Sequence, residues 1–494
     1  MKKFLIYLLV GIMLLSTLSV LVGCEEEESP VIDNEDDDEV VADDYGFPDI
    51  ERKDYSDEFN FYVGPSNGGV RLWYMDSDLN RGSAMDEAVY QRQERVRRYL
   101  GVEFVNVTYP DVYYNTYHTN IQSAVQNMDG TVDALVTHVH GSVSNLISEN
   151  LIMDFNELQG IDLDKEYWHK DFMDTLELNG NYFLGHSDYN IMMTYILGFN
   201  KELLDQYGGA LEKSIYDMVR EGDWTLNTLM ELSKLVAIDV TGNGKSDDDY
   251  FGFTAAPFIK FNGFLTSCDI PMVAQTESGA YEVALTRSEY FAKADSLVEF
   301  FRELGNANYT HFIYPAGGGE PSVPLSSGRT LISVLDTINM ENLLNYDLEF
   351  GVLPYPLYDK NQYDPESDTY GYKMLQWGGY LAVLSYMKDP VLTGETLEML
   401  AYYSENVKIT YYEKVLGKRV ADMPDDAAMF DIIWNSLSTD MGQTFYNLGG
   451  DETGVCYVLP QLMNPEATQN LSSFLKKKES AINLGFKKFL DNID

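Results

Sequence analysis

The chain has 494 residues and is strongly acidic, with 34 lysines and arginines against 79 aspartates and glutamates and a formal net charge of −45. This charge argues against binding to nucleic acid, or to an anionic membrane surface, through general electrostatics. The length exceeds what one hydrophobic core usually organises, so two lobes are predicted.

The first 23 residues predict a secretory signal peptide. Lys2 and Lys3 precede an uncharged apolar run that ends at Gly23 and Cys24. The alternative is a transmembrane helix, since a span needs about 20 apolar residues, but an acidic rather than a basic segment follows. The stretch Leu21–Cys24 resembles the lipobox of bacterial lipoproteins. That resemblance implies lipidation of Cys24 and a protein anchored at the extracellular face of the cell membrane.

Residues 24–57 predict a disordered acidic tether. Acidic runs such as Glu25–Glu28 alternate with Pro30, Gly46 and Pro48, and few large apolar side chains occur among them. Such a segment buries too little surface to offset the entropy lost on ordering. As a flexible coil it would reach about 30 Å, which is enough to hold a domain clear of lipid headgroups.

From residue 58 onward the pattern is that of an α/β protein. Strands are predicted at 59–63, 102–107, 132–137, 182–184, 195–199, 329–335, 350–353 and 380–384. Helices are predicted at 86–100, 113–127, 225–237, 393–404 and 425–437. This alternation predicts mainly parallel sheets, in which ligands lie beyond the carboxyl ends of the strands. No Pro-rich linker divides the body, which favours lobes joined by several crossings.

Four stretches, in this order, resemble the carbohydrate-associated solute-binding lipoproteins of ABC-type importers. They are Met85–Arg92, Ile196–Lys201, Trp224 to Phe253, and Phe350–Pro356. The resemblance implies a two-lobed periplasmic-binding-protein-like fold of type II, with interlobe crossings. Residues 58–187 and 353–410 would form lobe 1, and residues 188–352 and 411–494 would form lobe 2.

The same resemblance implies a receptor and not an enzyme. The protein would capture a solute, a sugar or an oligosaccharide, between its closing lobes and deliver it to the subunits of an ABC permease. The alternative is a lipid-anchored, glycan-active enzyme that uses paired carboxylates. With 79 acidic residues in the chain, pairs of carboxylates can be chosen arbitrarily, so such pairs are not evidence for an enzyme. No His-Glu-x-x-His motif occurs. Residues 64–68 do match Gly-x-Ser-x-Gly, but this short pattern does not by itself assign a nucleophile.

The segment from residue 239 to residue 247 has the spacing of a calcium-binding loop. Five residues would supply oxygen ligands: Asp239, Thr241, Asn243, Lys245 through its carbonyl, and Asp247. Gly244 permits the sharp turn that lets them converge, but Tyr250 stands where a bidentate glutamate is expected. The alternative is an acidic turn without a cation. In either case the loop is predicted to be structural, because it follows a helix.

Ligand contacts are predicted from aromatic and planar polar residues near the ends of strands. Trp377 is the first candidate, since it precedes Gly378 and Gly379, where backbone can approach a ligand closely. The others are Trp73, Tyr74, His138, Asp188 and Asp336. Ordinary packing or solvation is the alternative for each of them.

Two cysteines follow Cys24, namely Cys268 and Cys456. Their spacing is compatible with a disulfide or with two buried thiols, and buried thiols are slightly favoured.

Overall fold

In a computed structural model, the described part of the chain comprises residues 46–63, 77, 79, 82–107, 114–128, 130–138, 143–188, 194–209, 211–256, 259–313, 325–337, 340, 343, 346–411, 424–448 and 454–493. The predicted signal peptide, Cys24 and most of the predicted tether lie outside these residues. Residues Pro48–Asp494 belong to one compact unit. Among the described residues, no helix has the length and apolar character needed to cross a membrane.

Helices and strands alternate along the described chain. The strands are β1 (Asp57–Val63), β2 (Val102–Val107), β3 (Ala134–His138), β4 (Tyr195–Asn200), β5 (Ala237–Ile238), β6 (Tyr250–Ala255), β7 (Val273–Gln275), β8 (Tyr281–Val283), β9 (Thr310–Phe312), β10 (Thr330–Asp336), β11 (Phe350–Leu353), β12 (Met374–Leu375), β13 (Gly378–Val383) and β14 (Leu437–Ser438). The α-helices span Ala84–Leu100, Tyr114–Asn127, Val143–Ser148, Lys170–Asp174, Lys201–Tyr207, Ile215–Arg220, Leu226–Ser233, Asn262–Ser267, Ser288–Asn306, Pro390–Tyr402, Glu405–Thr410, Pro424–Asn435, Met441–Thr444, Val458–Leu462 and Leu471–Leu490.

The first large sheet has the strand order β13-β3-β1-β2. β1 runs parallel to β2 and β3, whereas β13 runs antiparallel to β3. Side chains on both faces of β1 are buried, including Phe61 on one face and Tyr62 on the other. A sheet buried on both faces is typical of α/β proteins, whose helices cover it from either side.

The second large sheet has the order β11-β4-β10-β6-β5, with β9 also paired to β6. β10 is parallel to β6 but antiparallel to β4. Every residue of β4 and β10 is buried, as their nearly continuous apolar sequences require. Both sheets are therefore mixed. The first sheet contains the antiparallel strand β13 and the second contains the antiparallel strand β4. Each of these strands begins where the chain passes from one sheet to the other.

Helix Ala84–Leu100 shows how local sequence sets the boundaries of an element. Ser83 accepts a hydrogen bond from the Asp86 amide at the N-terminus, and Gly101 ends the helix in a left-handed conformation with φ 64°. Val89, Val96 and Leu100 are fully buried at helical spacing. A Cβ at position 101 would lie 2.1 Å from Asp54 Oδ1, so this end of the helix requires glycine.

Three crossing segments meet between the two sheets. The first carries Thr194, whose hydroxyl donates to the Leu375 carbonyl over 3.1 Å. The second contains β12, and the third contains β14, which pairs with β12 in parallel. The Gln376 amide donates to the Ser438 carbonyl over 2.8 Å and extends this pairing. The crossings are thus hydrogen-bonded to one another rather than forming separate linkers.

The predicted strand at 182–184 is wrong. The Tyr182 amide donates to Asp154 Oδ1, and the Tyr182 carbonyl accepts from the Phe155 amide. These backbone groups are therefore satisfied by a neighbouring loop and not by a strand ladder. The helix predicted at 225–237 ends instead at Ser233, although Thr225 does cap it as expected.

Cys268 and Cys456 are both buried and not bonded to each other, which confirms the buried-thiol prediction. Burial raises the pKa of the Cys268 thiol to about 12 and also raises that of Cys456. Both side chains therefore stay protonated and behave as small apolar groups at neutral pH.

Candidate functional site

The carboxyl ends of the parallel strands in both sheets converge on one aromatic contact. In the first sheet, β3 ends at His138, opposite Gly378 at the start of β13. In the second sheet, β10 ends at Asp336, opposite Tyr195 at the start of β4. Ligands of α/β proteins bind beyond these ends. The region between them is therefore the candidate site.

Trp377 lies at this convergence and stacks on Tyr195. The two rings are nearly parallel, with 5° between their planes and 5.8 Å between their centroids. Tyr195 is buried, whereas Trp377 is only partly buried. Burial, followed by the charge of Asp336, holds the pKa of Tyr195 well above its usual range. Tyr195 thus supports a flat indole that remains partly accessible, and such a surface suits stacking against a sugar ring.

A buried hydrogen-bond relay precedes Trp377 in the chain. His186 Nε2 lies 2.7 Å from Gln376 Oε1, and Gln376 Nε2 donates to the Gly378 carbonyl over 2.8 Å. Burial, followed by the nearby charge of His169, lowers the pKa of His186 to about 3. The ring is therefore neutral and donates from Nε2. Sequence analysis missed both residues, for which the only signal was polar side chains within an apolar segment.

Asp336 is buried and ion-paired at the end of β10. Its carboxylate lies 2.8 Å from Lys260 Nζ, and the two side chains are only 4% and 7% exposed. The Lys260 carbonyl also accepts from Tyr355, a further buried residue at this edge. Asp336 therefore lies where the sequence predicted, next to Tyr195, with its charge already balanced.

Asp188 lies at the first crossing and has two basic partners. His169 Nε2 is 2.6 Å from one carboxylate oxygen, and Lys408 Nζ is 2.8 Å from the other. Burial alone would raise the pKa of Asp188, but the charges of His169 and Lys408 outweigh it and hold that pKa at about 2. Its role in ligand binding stays a prediction, since its contacts favour a structural role.

Three other predicted contact residues cannot be placed at the site. Trp73 and Tyr74 lie outside the described residues, in the segment that follows β1. The backbone of His138 ends β3 at the candidate site, but its side chain is not among the described parts of the structure. These three contacts stay predictions.

The predicted calcium loop lies at the other end of the second sheet. It leads into the first residue of β6, so it is remote from the carboxyl ends of the parallel strands. The Asp239 carboxylate accepts from the amides of Gly242 and Gly244. Asp247 contacts His311 over 2.8 Å. In the described part of the chain, no three His, Cys, Asp or Glu side chains are grouped to hold a metal. A cation there would depend on Thr241, Asn243 and the Lys245 carbonyl.

Calcium binding at this loop predicts a calcium-dependent melting temperature. A ligand that binds only the folded state raises that temperature, so calcium should increase it while magnesium, which needs a stricter geometry, should not. The variant Asp239→Ala should abolish the increase. Differential scanning fluorimetry with and without a chelator measures it, and an unchanged melting temperature would argue for an ordinary acidic turn.

Asp440 predicts a pH-dependent stability near the third crossing. Its buried carboxylate accepts from the amides of Met272 and Gly442, at 2.9 and 2.6 Å. Burial outweighs these contacts and raises its pKa to about 6 from 3.8. Ionisation is therefore costly in the folded state, so this group adds stability as the pH falls from above 6 towards 4, by up to about 3 kcal/mol.

The variant Asp440→Asn lacks this titration and isolates its contribution. Melting temperatures of both proteins should be measured between about pH 5 and pH 8. The melting temperature of the wild type should rise relative to that of the variant as the pH falls. A constant difference across this range would contradict the assignment to Asp440.

Comparison with known proteins identifies the fold. No protein-family model matches this sequence, and no curated protein sequence does either. Among solved structures, the cyclic α-maltosyl-1,6-maltose binding protein of Arthrobacter globiformis is similar with a TM-score of 0.56 and 12% identity, over 87% of this chain and 99% of that one. An ABC substrate-binding protein of Listeria monocytogenes in complex with cycloalternan has a TM-score of 0.54 and 13% identity, over 87% of this chain and 99% of that one. UgpB of Mycobacterium tuberculosis in complex with glycerophosphocholine has a TM-score of 0.54 and 14% identity, over 87% of this chain and 98% of that one.

At these identities the similarity concerns the fold, and it extends over nearly all of the body. It confirms the fold class predicted from the sequence, with mixed sheets in place of mainly parallel ones. The chain has the two-lobed, type II α/β fold of the solute-binding proteins of ABC transporters.

Proposed function

We propose that this protein is a cell-surface receptor that captures an oligosaccharide between its two lobes and passes it to an ABC permease. The observation that carries the proposal is the partly accessible indole of Trp377, held on Tyr195 where the two sheets converge. Lipidation at Cys24 would anchor the receptor at the extracellular face of the membrane, close to the permease that it serves.

An oligosaccharide suits this site better than a phosphodiester. The fold alone does not determine the ligand, since one of the three similar structures holds glycerophosphocholine. Lys260, the lysine at this edge, is paired with the buried Asp336. A phosphate would have to compete with that carboxylate. A flat aromatic face, in contrast, binds the C–H surface of a sugar without requiring a charge.

The proposal assigns no chemistry to the site. Asp188 and Asp336, the two acidic candidates, are buried, and each is paired with a lysine. A glycosidase needs one carboxyl group that protonates the leaving group and a second carboxylate that faces the sugar. Two of the three similar structures described above are named as binding proteins.

Recovery of the bound glycan tests the receptor against the enzyme. The protein is equilibrated by dialysis with linear and cyclic α-glucan oligosaccharides, and the glycan is then chromatographed. Retention of an intact oligosaccharide is expected. Release of shorter products in proportion to protein concentration and time would support a lipid-anchored enzyme and overturn the proposal.

A further inference from the structure

The C-terminal helix carries the opposite charge to the rest of the protein. Residues Leu471–Leu490 include five lysines and only one acidic residue, Glu479, in a chain whose net charge is −45. One side of the helix packs against the body through six buried apolar residues. These are Leu471, Phe474, Leu475, Ile482, Phe486 and Phe489.

Four of the lysines lie on the side that faces away from the body. At about 100° per residue, Lys476, Lys477, Lys487 and Lys488 fall within an arc of about 120°, opposite the buried side. All four are exposed. Leu484 lies within the same arc and is 50% exposed. We call these four lysines and Leu484 the basic face.

The basic face is short of anionic partners despite the excess of acidic residues in the chain. Lys487 lies 3.3 Å from Asp491 at the end of the helix. Within the described residues, no carboxylate lies within ion-pair distance of Lys476, Lys477 or Lys488. Exposed lysines elsewhere do have such partners, for example Lys373 with Asp269 and Lys388 with Asp57. The charge of this face is therefore available to an external anion.

We propose that the basic face binds the anionic headgroups of a lipid bilayer. The lysine pairs at 476–477 and 487–488 are about 16 Å apart along the helix, with Leu484 between them. Lysines that flank an exposed apolar side chain are typical of helices lying along a membrane surface, where the ammonium groups reach the headgroups. A bilayer also presents anionic groups at any spacing, so no matching site is needed.

The negative charge of the body does not prevent this contact. Exposed charges are largely screened beyond about 8 to 10 Å at physiological ionic strength. The bilayer therefore interacts with the local charge of the helix and not with the net charge of the protein. Four lysines give only weak binding to an anionic surface. With the lipid anchor proposed above at Cys24, a high effective concentration would make such weak contacts sufficient to orient the body. The inference is independent of the proposed ligand.

Vesicle co-sedimentation tests the inference without the lipid anchor. The mature chain with Cys24→Ser removes the acylation site and keeps the whole compact unit. It is mixed with phosphatidylcholine vesicles, with or without about one third phosphatidylglycerol, at low and high salt. The basic-face variant combines K476Q, K477Q, K487Q and K488Q. A matched control removes the same charge elsewhere through K234Q, K360Q, K373Q and K388Q.

The parent protein should bind only the anionic vesicles, and high salt should release it. The basic-face variant should lose at least about tenfold in bound fraction with an unchanged melting temperature, while the control variant retains binding. Equal losses in the two variants, or no preference for anionic vesicles, would overturn the proposal. Retention on immobilised polyglutamate without vesicle binding would also overturn it and would assign the face to an acidic protein.

Discussion

Replacing Trp377 with alanine is expected to weaken oligosaccharide binding by about 30-fold or more, which corresponds to ~2 kcal/mol of binding free energy. The indole is the partly accessible member of a stacked pair, and its partner Tyr195 is buried. The variant would remove the flat face that we propose as the contact for the sugar. Binding to wild type and variant can be compared by titration calorimetry.

Two controls separate the loss of this contact from a loss of structure. Trp377→Phe keeps a smaller flat ring on Tyr195 and should retain most of the affinity. The melting temperature of Trp377→Phe should stay close to that of the wild type, whereas Trp377→Ala also loses packing against Tyr195, so its affinity is measured below its own, lower melting temperature. Full affinity in Trp377→Ala would remove this residue from the site.

Replacing Asp188 with alanine is expected to destabilise the fold by about 3 to 5 kcal/mol. Asp188 is 1% exposed, and it is the shared partner of His169 and Lys408. Without it, the partly buried Lys408 ammonium group and the His169 ring lose their shared partner, in a region that also contains Trp434, whose ring lies 5.4 Å from Lys408 Nζ. Calorimetry should show a clear fall in melting temperature.

An exposed ion pair provides the matched control for Asp188. Asp174 pairs with Lys170 over 3.0 Å at the surface, with 48% of its side chain exposed. Asp174→Ala should therefore cost less than about 1 kcal/mol. Because the folded pKa of Asp188 is depressed to about 2, its contribution is complete above its unfolded pKa of 3.8 and declines as the pH falls towards 2. Equal effects of the two substitutions at neutral pH would contradict the assigned role.

Much of the fold was predictable because local signals and tertiary packing agree. The strand predicted at 102–107 matches β2, and the helix predicted at 113–127 begins one residue later in the structure. Ser83 and Gly101 bound their helix with recognisable capping residues. The strand prediction at 182–184 was wrong because these residue types are common in strands, but a loop supplies the backbone hydrogen-bond partners of Tyr182.

The site was predictable only in part. Trp377 was identified from its position before two glycines and a strand. Its stacking on Tyr195 depends on the meeting of strands from two sheets, some 180 residues apart in sequence, and no local pattern indicates this contact. His186 and Gln376 were missed for the same reason. Their hydrogen bond joins segments that only the fold brings together.

The region where the two sheets converge is expected to bind an oligosaccharide. Titration calorimetry with linear and cyclic α-glucans, glycerophosphodiesters, amino acids and peptides tests it most directly. Saturable binding of an oligosaccharide at one site per chain is expected, with heat proportional to the amount bound. Saturable binding of an amino acid or peptide, with no heat from any oligosaccharide, would contradict it.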